Sequence, residues 1–162
     1  MPERPVVNAS PLICLARSGL VDLLKLAGAE VVVPRKVADE ILRRGPDDPT
    51  ARVLRQERWL VITDVGEIPS VIQAWGLGDG ESSVLAWALA HPGSEAIIDD
   101  LAGRRCAAAL RIPVRGTLGL VLAAKETGKI ALARPILERL RQSGMFLSDA
   151  VVAKALAKIG EE

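Results

Sequence analysis

Aromatic side chains are almost missing from this 162-residue chain: it has three tryptophans, one phenylalanine and no tyrosine. Such scarcity argues against a broad stacking platform for single-stranded bases, which takes several exposed rings. Histidine occurs once, as His91 in "AHPG" at a helix end, with no acid or nucleophile placed beside it by a recognisable motif. A Ser-His-Asp triad is therefore excluded. Cysteine occurs twice, and Cys14 and Cys106 are too isolated in sequence to suggest a Cys-x-x-Cys pair. Each sits in an apolar helical pattern, as a reduced core residue would. Neither sign of charge prevails, with 21 Lys and Arg against 20 Asp and Glu, so no global field draws the chain to nucleic acid. No apolar run approaches the roughly 20 residues that span a bilayer, and "MPERPVV" does not open like a signal peptide. The expectation is a cytoplasmic protein with no membrane partner. There is also no Walker loop and no GxGxxG after a strand, which removes nucleotide hydrolysis and dinucleotide binding.

What is present is a steady alternation of short apolar strands and helices. "VVNASPLICLARSGLVDLL" reads as a strand entering a helix, with Ser10 as N-cap, Pro11 in the first turn, and Leu12, Leu15, Leu20, Leu23 and Leu24 at helical spacing. "AEVVVPRKVADEILRRG" repeats the pattern, with Gly45 as the stop. In "DDPTARVLRQERWLVITD", Asp48 caps a helix that precedes the strand "LVIT". "GDGESSVLAWALAHPG" is a helix whose simplest N-cap is Asp79; "EAIID", "LAGRRCAAALR" and a short strand near "IPVRG" follow. From Thr117 to Glu162 the pattern is helical throughout, with Thr117 and Ser148 as caps and Gly128 and Gly144 as breaks. Continuous apolar strands alternating with helices predict an α/β fold, a parallel sheet of about five strands covered on both faces. At this length, residues 1–162 form a single domain, with 117–162 as its helical C-terminal part.

In such folds ligands bind beyond the carboxyl ends of the strands. Asn8 stands at the end of the first strand, Asp99 and Asp100 at the end of the fourth, and Glu81 in the first turn of the helix before it. Glu40, on the helix after strand two, can point back to the same mouth. Carboxylates without histidine or thiolate partners suit a hard cation such as Mg²⁺ or Mn²⁺. Each residue has a plainer role as well. Asp99 and Asp100 suit the N-terminus of the following helix, Glu81 suits a first turn, and Glu40 can pair with Arg43 or Arg44 on the surface. Arg104 stands four residues after Asp100, a spacing at which the two can pair across one helical turn. Arg43, Arg44, Arg52, Arg55, Arg58, Arg104 and Arg105 can track an RNA backbone, or serve as solvated helix faces. Trp87 falls in an apolar helical run and reads as core; Trp75, in "IQAWGLG", is the tryptophan placed to reach a lip.

Taken together, "VVNASPLICLARSGLVDLL", "VPRKVADEI", "GLGDGESSVLAWALA", "AIIDDLAGRRCAAALRIPVRGTLGLVLAAKETG" and "SGMFLSDAVV" resemble the PIN-domain nucleases, in the DUF3368 branch, whose relatives include the VapC-type toxins of toxin–antitoxin pairs. The resemblance implies a three-layer fold around a central parallel sheet. It also implies a Mg²⁺- or Mn²⁺-dependent endoribonuclease that cuts RNA phosphodiesters with a metal-activated water. By the family's pattern of four acidic places, Glu40 takes the second, Glu81 the third and Asp100 the fourth. Asp99 is an additional or alternative metal ligand, and Ser10 matches the small hydroxyl residue after the first acid. The first place holds Asn8 instead of Asp, which offers a carbonyl oxygen but no negative charge. The implied catalytic set is Asn8, Glu40, Glu81 and Asp100, supported by Ser10 and Arg104. Implied partners are an RNA substrate, a small antitoxin protein and a second copy in a homodimer. The departure at Asn8 keeps a second reading open, a PIN fold that binds RNA or a protein without cutting.

Overall fold

The computed structural model describes residues 3–161. Its strands are β1 (Val6–Val7), β2 (Val31–Pro34), β3 (Leu60–Thr63), β4 (Ala96–Ile97) and β5 (Val114–Arg115). They form one five-stranded sheet in the order β3-β2-β1-β4-β5, with every neighbouring pair parallel. Between and after them run α1 (Ala9–Arg17), α2 (Arg35–Leu42), α3 (Pro49–Gln56), α4 (Ser70–Gln73), α5 (Asp79–Ala90), α6 (Leu101–Ala109), α7 (Thr117–Glu126), α8 (Ala133–Gln142) and α9 (Asp149–Lys158).

Consecutive strand residues point to opposite faces, yet Val31, Val32 and Val33 are all fully buried, as are Val6 and Val7. Both faces of the sheet are therefore covered, which is why these strands read as unbroken apolar runs instead of alternating ones. Helix α5 lies against β1, β2 and β4, with α2 packed on it. The core is contiguous, from Leu12 and Leu15 of α1 through the strands to Leu120 of α7 and Leu137 of α8.

The strand order matters for the site. The chain leaves β1 to one side, building β2 and β3, then returns to place β4 on the other side of β1. This reversal opens a crevice between β1 and β4 at their carboxyl ends. Register sets its depth: Val7 faces Ile97, and the Asn8 amide donates to the Ile97 carbonyl at 3.0 Å. Asn8 thus emerges beside Ile98, one residue before the Asp99-Asp100 pair.

Several local expectations are revised. Helix one does not run to Leu24: Gly19 at φ 69° ends it, and Leu23 and Leu24 reach the core from a separate 3-10 segment, Val21–Leu26. Ser10 is not the N-cap of α1. That position is held by Asn8, whose side chain makes no cap bond, and Ser10 is exposed inside the first turn. Asp79 is the first residue of α5 and Gly78 its cap; Thr117 is the first residue of α7, with Gly116 as cap. The Thr117 hydroxyl has another partner, described below. The loop before α5 contains the short helix α4. Asp48 does cap α3, accepting from Thr50 and Ala51 at 3.0 and 3.2 Å, and Ser148 caps α9, accepting from Val151 at 3.1 Å.

The helical tail closes on the domain. Val152 and Leu156 are buried against it and Ile159 is half-buried, while Val151 stays exposed. Glu161 accepts from the amides of Ala133 and Arg134 at 2.8 and 3.2 Å, tying the end of α9 to the start of α8. Among the described residues no helix is long and apolar enough to cross a membrane.

Candidate active site

Asn8, Glu40, Glu81 and Asp100 line one cavity of about 610 Å³ at the carboxyl ends of the strands, together with Ser10 at its lip. Four different segments deliver them: the β1–α1 junction, α2, the first turn of α5, and the start of α6. Lys36 of α2 and Arg43 at its C-cap stand on the same wall and bring positive charge to it, and Asp79 at the start of α5 adds a further carboxylate.

Asn8 is buried, and its amide nitrogen stands 3.5 Å from Glu81 Oε2, the far limit of a hydrogen bond. Between Asn8 and Glu40 lies Gly80. A Cβ there would stand 3.4 Å from Glu40 Oε2 and 3.7 Å from Asn8 Oδ1, so the missing side chain keeps the floor between them open. Glu81 is half-buried, and burial, then the nearby Asp100 carboxylate, pushes its carboxyl above the usual range. Its head rests on the backbone of α6, where a Cβ at Gly103 would come within 2.8 Å of its Cδ. Gly80 and Gly103 were not singled out from the sequence. Their signal was only that each is a glycine inside a helix, where glycine weakens the element and often marks a close approach.

The two adjacent aspartates separate. Asp99 turns to α7, its carboxylate accepting from the Thr117 amide and the Thr117 hydroxyl, each at 2.7 Å. It does not border the Asn8–Glu81 cavity. Asp100 is exposed and caps α6 through Oδ2, which accepts from the Ala102 amide at 3.1 Å. One cap bond leaves the second oxygen available, so capping and ligand binding are compatible there.

Arg104 does not pair with Asp100. No carboxylate lies within 4 Å of it among the described residues. Asp100 is turned to the Ala102 amide of the helix it caps. Arg104 extends over Gly116 beside Asp99, where a Cβ would meet its guanidinium at 2.7 Å. Glu40 has no ion pair with Arg43 or Arg44; Arg44 instead holds Asp48 at 3.0 Å. Arg52 faces Asp47 and Arg55 donates to the Pro46 carbonyl, so the α2–α3 corner spends much of its basic charge internally. Trp75 is exposed but does not border this cavity, and Trp87 stacks on His91 with ring centroids 3.7 Å apart. Cys106 is buried, and half-buried Cys14 is pushed up to about 11, chiefly by burial, so neither thiol is poised to react.

The cavity's acidic and neutral polar side chains can ligate through oxygen, and neither histidine nor cysteine lines it, which in kind suits a hard divalent cation. They do not form a closed cage: among the described residues no three His, Cys, Asp or Glu side chains stand close enough to hold a metal ion. The match to such an ion is thus one of donor type and of place at the strand ends, not of ligand geometry.

The family DUF3368, described as a PIN domain, matches residues 4–161. No curated protein and no solved structure matches.

Proposed function

This chain belongs to the DUF3368 family, a PIN domain and thus a nuclease-type fold, and from that premise we propose that it is a Mg²⁺- or Mn²⁺-dependent endoribonuclease. The observation that carries the reading is the convergence of Asn8, Glu40, Glu81 and Asp100 on one cavity at the β1–β4 crevice. Glu81 and Asp100 would hold the ion, with the Asn8 carbonyl and Glu40 at its edges. A bound ion of this kind activates a water and neutralises charge developing on a phosphodiester. The chain's own residues supply the rest. Lys36 and Arg43 draw the RNA backbone to the cavity, exposed Ser10 can donate to a phosphate oxygen, and Gly80 leaves room for the substrate between Asn8 and Glu40.

The test is a cleavage time course on mixed single-stranded and structured RNAs with Mn²⁺, Mg²⁺ or EDTA, with Asp100→Ala beside the parent. Metal-dependent cutting that disappears in the variant supports the nuclease. No cutting by either folded protein supports the second reading, which Asn8 favours: a PIN fold that binds RNA or protein without cutting.

Within the nuclease reading the chain is the toxin of a toxin–antitoxin pair, paired as a homodimer and silenced by a small antitoxin protein. Growth arrest on expression, relieved by Asp100→Ala, supports the toxin role; a single 17 kDa species in light scattering at micromolar concentration rules out the dimer.

A further inference from the structure

Beside the Asn8–Glu81 cavity lies a second one of about 650 Å³, and the two share Ser10, Ile13 and Asp100. A chain crossing the first would continue into the second without leaving the surface. Two features of its wall point to one kind of occupant. The first is charge: Arg17 from the end of α1 and Arg104 from α6 both line it, and neither has a carboxylate within 4 Å among the described residues. The second is Phe146, the chain's single phenylalanine, on the segment between α8 and α9. It borders this cavity with 90% of its surface exposed, so the fold gains nothing from burying it.

Asp99 also borders the cavity, but its carboxylate is directed at the Thr117 amide and hydroxyl, at the positive end of α7. Asp100 stands on the same wall and accepts from the Ala102 amide, so neither carboxylate is paired with Arg17 or Arg104 and both guanidinium groups keep their donors for an anion. Paired cations beside an exposed ring suit a nucleotide, whose phosphate accepts from arginine while its base stacks on the ring.

We propose that this second cavity holds the nucleotide next to the scissile phosphate of a single-stranded RNA, with its base on Phe146 and its phosphate on Arg17 and Arg104. The inference rests on the nuclease reading and deepens it by assigning the residues that hold the neighbouring nucleotide. A duplex keeps its bases stacked inside the helix, out of reach of Phe146. One ring offers a single stacking partner and not the broad platform that the scarcity of aromatic residues argues against.

Binding of a fluorescently labelled single-stranded RNA of about eight nucleotides, read by anisotropy, tests this without cleavage. Glu81→Gln in EDTA serves as the background, so that the RNA stays intact. Phe146→Ala should weaken binding about five- to 150-fold, the worth of one stacked base, and Phe146→Trp should restore it. Removing the base at each position in turn should reveal one position at which Phe146→Ala no longer matters. Equal binding with and without the ring, equal weakening for a duplex of the same sequence, or no RNA binding at all overturns the proposal. Failure here beside intact metal-dependent cutting by the wild-type chain removes the subsite and leaves the nuclease. Base-dependent binding to Phe146 without cutting in any metal leaves the subsite as part of a binding module.

Discussion

The carboxylate of Asp99 receives two bonds from Thr117, from its amide and its hydroxyl, both at 2.7 Å. Thr117 is fully buried, and the pair fastens the start of α7 to the end of β4. Thr117→Val leaves one oxygen of the half-buried Asp99 carboxylate short of a partner and should cost about 1 kcal/mol of stability while leaving RNA cutting intact. Asp100→Asn should do the reverse, holding its melting temperature within a few degrees and losing activity. Thermal denaturation alongside a cleavage assay separates them. Thr117→Val that abolishes cutting in a protein still fully folded would make Asp99 part of the reacting site.

Asn8 faces Glu81 with an amide where a carboxylate would repel it. Asn8→Asp should therefore lower the melting temperature in EDTA and raise affinity for Mn²⁺. If the added charge contributes roughly 2–3 kcal/mol, titration calorimetry would show binding tighter by about 30- to 150-fold. Unchanged affinity would place Asn8 outside the ligand set.

Glu81 carries the clearest pH signature. Its carboxyl is raised above the ordinary 4.5 by burial and by Asp100, so the folded chain keeps this proton after the unfolded chain has released it. In the metal-free protein the contribution of this group to stability is greatest at acid pH and falls as pH rises through the ordinary glutamate range to the raised value. Glu81→Gln removes that loss. Its melting temperature in EDTA should exceed the parent's at pH 7, by a few degrees if the difference is about 1 kcal/mol, and the two should converge near pH 4. A gap independent of pH would point to packing instead of charge.

Gly103 gives Glu81 its resting place. In Gly103→Ala the new Cβ would come within 2.8 Å of Glu81 Cδ and 3.0 Å of Ile98 Cγ2. The glutamate head can swing away, and alanine favours the helix by about 1 kcal/mol, so stability should change little. Mn²⁺ affinity should fall at least tenfold because the displaced carboxylate leaves the cavity. Calorimetry with an undiminished affinity would show that Glu81 holds no metal.

Much of the fold was legible in the chain because its signals are local. A strand buried on both faces must be apolar at every position, and "VVV" says so without any partner in view. A helix entered through Asp48-Pro49 needs only its own first turn to form the cap. The same locality set Asn8, Glu81 and Asp100 near strand ends and helix starts, while Glu40, in the last turn of α2, was joined to them by the family resemblance. In a parallel sheet those positions share one edge, so the cavity's membership could be read before its geometry.

Tertiary structure decided the rest. Asp99 and Asp100 are neighbours in sequence with nearly equal claims; the packing of α7 against the end of β4 gives one to Thr117 and leaves the other at the cavity. Helical spacing joined Arg104 to Asp100, but the open space over Gly116, formed by a different part of the chain, drew it away. The leucine spacing after Leu15 suggested one helix, although Gly19 ends it and Leu23 and Leu24 reach the core from a separate turn. The sequence by itself determined which residues carry oxygen donors and roughly where along each element they stand, since periodicity and capping act over a turn or two. Only the tertiary structure decided where each side chain points and what fills the space beside it. Those depend on segments far apart in the chain, whose approach no local pattern records.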